Sequence, residues 1–149
     1  MKPFKVLREQ LGKTVPFANH VGVEIVEVGE GTATARIGDM AQTKNHIGSQ
    51  HAGALFTLAE AASGAAMAGA FLSVREHVRP VVSQSAIRYS KIAKGPISAR
   101  ARVESQASEL LKELETQGKV RFPVEVSLFD ESGDEVAAIS AEWHVSRKR

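Results

Sequence analysis

Six stretches of the chain have the residues and the turn boundaries of β-strands, and alternation of hydrophobic and polar residues with a period of two marks a strand that is half-buried. In residues 32–37, for example, Thr32, Thr34 and Arg36 alternate with alanine and isoleucine. The glycine-containing turn at residues 29–31 predicts a hairpin between the first two strands. The six predicted strands cover residues 21–28, 32–37, 81–89, 97–104, 120–129 and 135–145.

Residues 52–72 lack this alternation and predict one long helix that is apolar on nearly every face. Nine of these 21 residues are alanine, three are glycine, and Glu60 carries the only charge. An acidic residue near the middle of a helix is costly in lipid, so we expect this helix to be buried in protein rather than to cross a membrane. Shorter helices are expected at residues 3–12 and 108–116, where apolar residues recur at helical spacing.

This order of elements predicts an α+β fold in which a curved antiparallel sheet of about six strands wraps around one long central helix. Six strands can cover such a helix only if the sheet curls around it, and the small side chains of the helix allow close approach. An ordinary α+β sandwich is the alternative. An open edge or face of the sheet is often covered by a second copy of the chain. The length is that of one domain, so residues 1–149 are taken as a single unit.

Composition and charge exclude several classes of function. The chain has no cysteine, which excludes a disulfide framework, a thiolate zinc site and a cysteine nucleophile, and which fits a cytoplasmic location. A net charge of only +2 does not indicate a nucleic-acid partner. The five histidines are scattered without metal-ligand spacing and phosphate-loop motifs are absent, so neither a metal site nor a cofactor is predicted.

The candidate chemistry is concentrated in a polar loop and in the first turns of the long helix. Asn45 and His51 lie in the loop, and Ala52 and Gly53 begin the helix with sterically open amides that can receive an oxyanion. His51 is expected to bond the loop backbone, with a role as an acid as the alternative. Glu60 interrupts the apolar run, and a poorly hydrated carboxylate suits a base or nucleophile. The alternative is that Glu60 lies on a solvent-exposed stripe.

The spacing of these residues resembles that of the hotdog-fold acyl-CoA thioesterases, especially the phenylacetate-pathway type and related thioesterases. The family pattern is an Asn, then His-Gly-Gly, then an acid preceded by a Leu. Here Asn45 lies six residues before His51, Glu60 lies nine residues after it, and Leu58 is in place. The resemblance covers roughly residues 20–145. It implies the hotdog fold and a thioesterase that hydrolyses acyl-CoA or other acyl thioesters.

The resemblance also implies roles for individual residues. It gives Glu60 the role of general base or nucleophile, Asn45 that of positioning the substrate or water, and the Ala52 amide that of oxyanion donor. Ala52 replaces the first glycine of the family motif, which is harmless inside a helix. Some relatives add a Ser or Thr on the strand after the helix, and Ser83 is the candidate here, with Ser85 expected on the same face of that strand.

A site built from two chains is expected. The Ala52 amide and Glu60 lie eight residues apart on one helix, which corresponds to about 12 Å of rise, so one chain cannot present both to the same carbonyl group. The resemblance similarly implies a homodimer or a tetramer of dimers, an acyl-CoA substrate, and no membrane or nucleic-acid partner. Basic residues that are candidates for the coenzyme A phosphates, or else ordinary solvated charges, are Arg88, Lys91, Lys94, Arg100 and Arg102.

Two other functions remain open at the level of the sequence. A hydratase or dehydratase of the same fold is suggested by His46, which lies fourteen residues before Glu60 at an interval resembling that of the hydroxyacyl-carrier-protein dehydratases. Those enzymes carry a Pro-Gly-Val motif at the helix start, which this chain lacks. A non-catalytic acyl-CoA binding protein or sensor is the alternative from another class. Thioester hydrolysis is the prediction.

Overall fold

The computed structural model describes residues 2–149, which form four α-helices and six β-strands. Two short 3₁₀ turns lie at Ala41–Thr43 and Leu72–His77. The helices are α1 (Lys2–Thr14), α2 (Pro16–Val21), α3 (Ala52–Ala70) and α4 (Ala107–Gln117). The strands are β1 (Glu24–Gly29), β2 (Thr32–Ile37), β3 (Val78–Tyr89), β4 (Ile97–Val103), β5 (Lys119–Phe129) and β6 (Glu135–Arg147).

The six strands form one antiparallel sheet in the order β1-β2-β4-β5-β6-β3. Helix α3 contacts five of the strands, from β1 to β6, so the sheet curves around the helix. Buried and exposed residues alternate strictly along β4, with Ile97, Ala99, Ala101 and Val103 facing the core. The predicted α+β class, the six strands and the hotdog arrangement are confirmed.

The small side chains of α3 set the distance between the helix and the sheet. A Cβ atom on Gly69 would lie 2.0 Å from the carbonyl oxygen of Gly29, so only glycine fits there. A Cβ atom on Gly64 would lie 3.2 Å from the ring of Trp143 on β6. These close approaches explain why the most buried helix of the chain consists mainly of alanine and glycine.

The N-terminal part differs from the sequence prediction. Strand β1 begins at Glu24 instead of residue 21, because Pro16 starts a second helix, α2, which ends at Gly22 in the left-handed conformation with φ 90°. Both α1 and α2 pack against α3 and cover a flank of that helix that the sheet leaves open. None of the helices within residues 2–149 is long and apolar enough to cross a membrane.

Candidate functional site

The Asn45 side chain organises the loop that leads into α3. Its Oδ1 atom accepts hydrogen bonds from the backbone amides of Ile47 (3.1 Å) and Ser49 (3.0 Å). Its Nδ2 atom donates to the hydroxyl of Ser49 at 2.8 Å. The oxygen and the nitrogen of the Asn45 carboxamide are therefore both bonded within the loop, and these bonds hold the loop in its conformation. A direct contact with substrate would have to share the Nδ2 group.

His51 forms the N-cap of α3. Its Nδ1 atom accepts a 2.8 Å hydrogen bond from the Gly53 amide, and its own amide donates to the carbonyl oxygen of Thr43 at 2.8 Å. This cap satisfies one of the orphan amides of the first helical turn. The Gly53 amide, one of the two amides expected to be open, is thus already bonded to His51. The Ala52 amide has no acceptor among residues 2–149.

Tyr89 is a residue near this helix start that the sequence analysis did not identify. Its hydroxyl donates a 3.0 Å hydrogen bond to the carbonyl oxygen of Ala52. Asn45, Ala52, Tyr89 and Lys91 line one shallow depression beside the start of α3. The sequence held one indication of this residue, because Tyr89 is the only tyrosine and lies at the end of a predicted strand.

Gln50 was also missed, although it connects three segments around the site. The side chain is only 2% exposed. Its Oε1 atom accepts from the hydroxyl of Thr43 at 2.8 Å, and its Nε2 atom donates to the carbonyl oxygens of Gly38 (3.0 Å) and Gly95 (2.8 Å). Gln50 therefore fixes the loop against the end of β2 and against the β3–β4 connection, with its polar atoms satisfied.

Glu60 lies half-buried on α3, at a cavity whose walls are mostly apolar. Burial raises the pKa of its carboxyl group. Within residues 2–149 no cation or hydrogen-bond donor contacts the carboxylate. Its backbone is fixed instead: the carbonyl oxygen of Glu60 accepts from the buried hydroxyl of Ser63 at 2.7 Å, and that hydroxyl accepts from the Trp143 indole at 3.0 Å.

The structure places the two halves of the predicted site in different depressions. Ala52 lies in the shallow depression with Asn45, whereas Glu60 lies at the apolar cavity on the flank of α3. They are separated by eight residues of continuous helix, or about 12 Å of rise. A single chain therefore does not bring the Ala52 amide and the Glu60 carboxylate together.

The basic candidates are distributed over different surfaces. Lys91 lies in the depression at Ala52 and pairs with Asp134 (2.6 Å) and Asp130 (2.9 Å), whose hydrogen bonds raise the pKa of the Lys91 ammonium. Arg88 follows the partly buried Ile87 on β3, so its side chain lies on the sheet face away from α3. Three further residues are exposed: Lys94 in the β3–β4 connection, and Arg100 and Arg102 on β4.

Ser83 is not brought to Glu60. It lies at a β-bulge in β3, and its hydroxyl donates to Oε1 of Glu142 at 2.7 Å. Glu142 follows the fully buried Ala141 on β6, so its side chain is on the sheet face away from α3. Because of the bulge, Ser85 pairs with Ala141 and does not share the face of Ser83, contrary to the expectation. The part of the chain that the structure describes holds no cluster of His, Asp and Glu suited to a metal.

Comparison with known proteins gives a family and a set of similar structures. The family model described as a domain of unknown function, DUF4442, matches residues 5–145. A protein of unknown function from Pseudomonas aeruginosa, described as a probable thioesterase, is 31% identical with a TM-score of 0.83, covering 97% of this chain and 95% of that chain. No curated protein matches the sequence.

Two more distant structures are similar in fold. A thioesterase family protein from Silicibacter pomeroyi is 17% identical with a TM-score of 0.75, covering 95% of this chain and 96% of that chain. The PaaI protein from the phenylacetic acid degradation operon of E. coli is 21% identical with a TM-score of 0.68, covering 94% of this chain and 91% of that chain. At these identities the similarity shows the hotdog fold alone.

Proposed function

Because this chain belongs to the DUF4442 family and has the hotdog fold, we propose that it is a thioesterase that hydrolyses acyl-CoA thioesters. The observation that carries the proposal is Glu60, a half-buried carboxylate with a raised pKa and no bonded partner among residues 2–149, at the edge of an apolar cavity. A carboxylate in such surroundings is a stronger base than one in water. The 31% identical probable thioesterase from Pseudomonas aeruginosa supports the same reaction class.

The proposed reaction uses Glu60 and the Ala52 amide in complementary roles. Glu60 either removes a proton from the attacking water or itself attacks the thioester carbon. The carbonyl oxygen becomes an oxyanion, which the Ala52 amide receives at the positive end of the α3 dipole. The C–S bond then breaks, the coenzyme A thiolate leaves and takes up a proton, and a carboxylic acid is the second product. With Glu60 as nucleophile, water must also hydrolyse the resulting anhydride.

Two copies of the chain form the proposed site. Strand β3 is a 12-residue edge strand whose one strand partner among residues 2–149 is β6, so its outer main-chain groups can pair with a second copy. Two-fold pairing would place the Glu60 of one chain beside the Ala52 of the other and give two equivalent sites. Lys91 lines the Ala52 depression, and Lys94 lies three residues further along the β3–β4 connection. Both are proposed to meet the coenzyme A phosphates of a cytoplasmic substrate pool.

The test is a panel of acyl-CoA esters incubated with the protein and a thiol reagent. Release of free thiol by the wild-type chain, and a loss of roughly 10²-fold or more in Glu60→Gln, are the expected results. Glu113→Gln, at an exposed position on α4, is the matched control and should retain full activity. Hydration of an enoyl-CoA, or saturable binding of acyl-CoA without turnover, would contradict the proposal and indicate a hydratase or a sensor instead.

A further inference from the structure

Ser63 is the most deeply buried polar residue of α3. It is 0% exposed, whereas the other two polar residues of this helix, Thr57 and Glu60, are half-buried. Its hydroxyl donates a 2.7 Å hydrogen bond to the carbonyl oxygen of Glu60 and accepts a 3.0 Å hydrogen bond from Nε1 of Trp143. The hydroxyl therefore connects the backbone of Glu60 to a side chain of β6.

Packing alone does not account for this polar pair. The buried residues of α3 are mainly alanine, so an alanine in place of Ser63 would match the rest of the buried surface. Replacing both partners of a buried hydrogen bond by apolar groups of similar shape is nearly neutral for stability. What a hydrogen bond adds to packing is direction, because donor and acceptor must meet at a defined distance and angle. The pair between Ser63 and Trp143 thus fixes one point of α3 relative to β6.

Two hydrogen bonds join α3 to the sheet within residues 2–149, and each leads to a residue of the proposed site. Tyr89 of β3 donates to the carbonyl oxygen of Ala52. Trp143 of β6 donates to Ser63, which donates to the carbonyl oxygen of Glu60. We call this second connection, from Trp143 through Ser63 to Glu60, the Glu60 anchor. The helix is therefore fixed to the sheet at the turn of the proposed oxyanion donor and at the turn of the proposed base or nucleophile.

The position of the Glu60 carboxylate depends on its backbone, because no cation or hydrogen-bond donor among residues 2–149 contacts it. The ring of Trp143 packs on the helix directly after Ser63, since a Cβ atom on Gly64 would lie 3.2 Å from that ring. Trp143 also pairs with Val82 of β3, the strand proposed to pair with a second copy. The Glu60 anchor therefore sets the place of the carboxylate relative to the proposed edge between two chains.

We propose that Ser63 and Trp143 are positioning residues for Glu60, and that their hydrogen bonds hold the Glu60 turn of α3 where its carboxylate meets a thioester bound at the Ala52 amide of a second copy. The inference rests on the proposed hydrolysis at Glu60. A misplacement of about 1 Å between reacting groups can cost about 10²-fold in rate. Loss of the Glu60 anchor should therefore lower kcat and leave substrate binding nearly unchanged.

Ser63→Ala breaks the Glu60 anchor and keeps a small apolar side chain in the helix. At a temperature where both proteins are folded, kcat should fall by about tenfold while KM changes by less than about twofold. Ser63→Cys retains a weak hydrogen-bonding group, so its kcat should lie between those of wild type and Ser63→Ala, and it keeps the test valid if Ser63→Ala does not fold. Thr116→Val is the control, because it removes an exposed hydroxyl that bonds the carbonyl oxygen of Lys112 on α4 at 3.1 Å, and it should keep the wild-type kcat.

A double-mutant cycle tests whether the two residues act as one unit. In the Trp143→Phe background the Glu60 anchor is already broken, so adding Ser63→Ala should change kcat by less than about twofold. The double variant leaves no indole N–H without an acceptor, so it should regain part of the stability lost in Ser63→Ala while its kcat stays low. An equal loss of kcat from Ser63→Ala in both backgrounds, or a wild-type kcat in the double variant, would overturn the inference while the hydrolase stands.

Titration of the Glu60 carboxyl group by NMR separates this inference from the proposed function, because it needs no turnover. Burial raises the pKa of Glu60, and loss of the Glu60 anchor should bring the carboxyl group closer to water. Its midpoint in Ser63→Ala should therefore lie nearer the ordinary glutamic acid value of about 4.3. That shift, in a chain that hydrolyses no thioester, would contradict the hydrolase and support the anchor. An unchanged midpoint in an inactive chain, or an unchanged kcat in an active one, would overturn the anchor.

Discussion

The hydroxyl of Tyr89 donates a 3.0 Å hydrogen bond to the carbonyl oxygen of Ala52 and so attaches the end of edge strand β3 to the first turn of α3. Burial raises the pKa of the Tyr89 hydroxyl, which therefore stays protonated and able to donate at neutral pH. This hydrogen bond therefore fixes the position of β3, which is proposed to pair with a second copy, relative to the Ala52 amide, which is proposed to receive the oxyanion.

Tyr89→Phe removes this bond with little change in shape. We expect the free energy of unfolding to fall by about 1 kcal/mol, the usual net value of one hydrogen bond. Because the bond fixes the residue whose amide is the proposed oxyanion donor, kcat should fall severalfold while KM changes less. Steady-state kinetics and urea unfolding check both values, with Ser90→Ala as the neighbouring control. Lower stability with an unchanged kcat would show that the bond only anchors the strand.

Gln50→Ala tests the connection between the loop, the end of β2 and the β3–β4 turn. The substitution leaves the carbonyl oxygens of the half-buried Gly38 and Gly95 without their donor, and the free energy of unfolding should fall by roughly 2–4 kcal/mol. Gln42→Ala changes an exposed glutamine of the same loop and should change stability by less than about 0.5 kcal/mol. Equal effects of the two substitutions on urea unfolding would contradict this account of Gln50.

Asn45 is expected to act first on the conformation of its loop. Asn45→Asp keeps the Oδ1 acceptor for the Ile47 and Ser49 amides but loses the Nδ2 donor, whereas Asn45→Ala loses both. The melting temperature should therefore be highest for wild type, lower for Asn45→Asp and lowest for Asn45→Ala. Activity should fall in both variants. If Asn45→Ala keeps the wild-type melting temperature and loses activity, the residue acts on substrate and not on the loop.

The regular parts of this fold could be predicted because they depend on local pattern. Strand-forming residues and turn boundaries located all six strands, although β1 and β3 begin three residues away from their predicted starts. The excess of alanine and glycine in α3 indicated a helix that a sheet approaches closely, and Gly69 against Gly29 shows the contact that requires it. These features follow from side-chain size and hydrophobicity along a short window.

The parts that were missed depend on partners far away in the sequence. The Gln50 side chain bonds carbonyl oxygens 12 and 45 residues away, and a backbone carbonyl has no signature in the sequence. The bulge at Ser83 depends on how β3 pairs with β6, so the face of Ser83 could not be predicted from spacing along β3. The short helix α2 was visible only as Pro16 before an apolar residue.

Glu60 should give the hydrolysis rate a characteristic dependence on pH. The ionised carboxylate is the reactive form as base or nucleophile, so kcat/KM should rise with pH as Glu60 loses its proton. Because burial raises the pKa of Glu60, the midpoint of this rise should lie above the ordinary glutamic acid value of about 4.3. If kcat/KM does not rise with pH above the ordinary glutamic acid pKa, Glu60 is not the titrating group.

The same shift in pKa has a consequence for stability. Between the ordinary and the raised pKa of Glu60, the folded chain binds more protons than the unfolded chain, so the free energy of unfolding falls as pH rises through this window. Glu60→Gln does not titrate. It should therefore be more stable than wild type at pH 7–8, by a difference that shrinks toward about pH 4. Unfolding curves across this range measure the difference, and Glu113→Gln controls for the loss of one negative charge.

A site shared between two chains can be tested by complementation, and α3 offers a precise way to remove the oxyanion donor. Ala52 is the first residue of the helix, a position where proline is tolerated, and His51 before it has the extended conformation (φ −66°, ψ 141°) that proline requires. Ala52→Pro should therefore preserve the fold and delete the one amide hydrogen. Its kcat should fall by about 10²–10³-fold, the usual cost of losing one oxyanion donor.

Glu60→Gln and Ala52→Pro chains are each expected to be nearly inactive alone and partly active when mixed after reversible dissociation. In a mixed dimer of the two-chain site, one site carries both substitutions and the other is intact. Random mixing makes about half of the dimers mixed, with half of their sites intact, so activity should recover to about a quarter of wild type. A site confined to one chain leaves a lesion in every site, so mixing would restore nothing. The control mixes each single variant with a chain that carries both substitutions, and this mixture should stay inactive. Recovery in the first mixture but not in the control would show that the Glu60 carboxylate and the Ala52 amide of one site come from opposite chains.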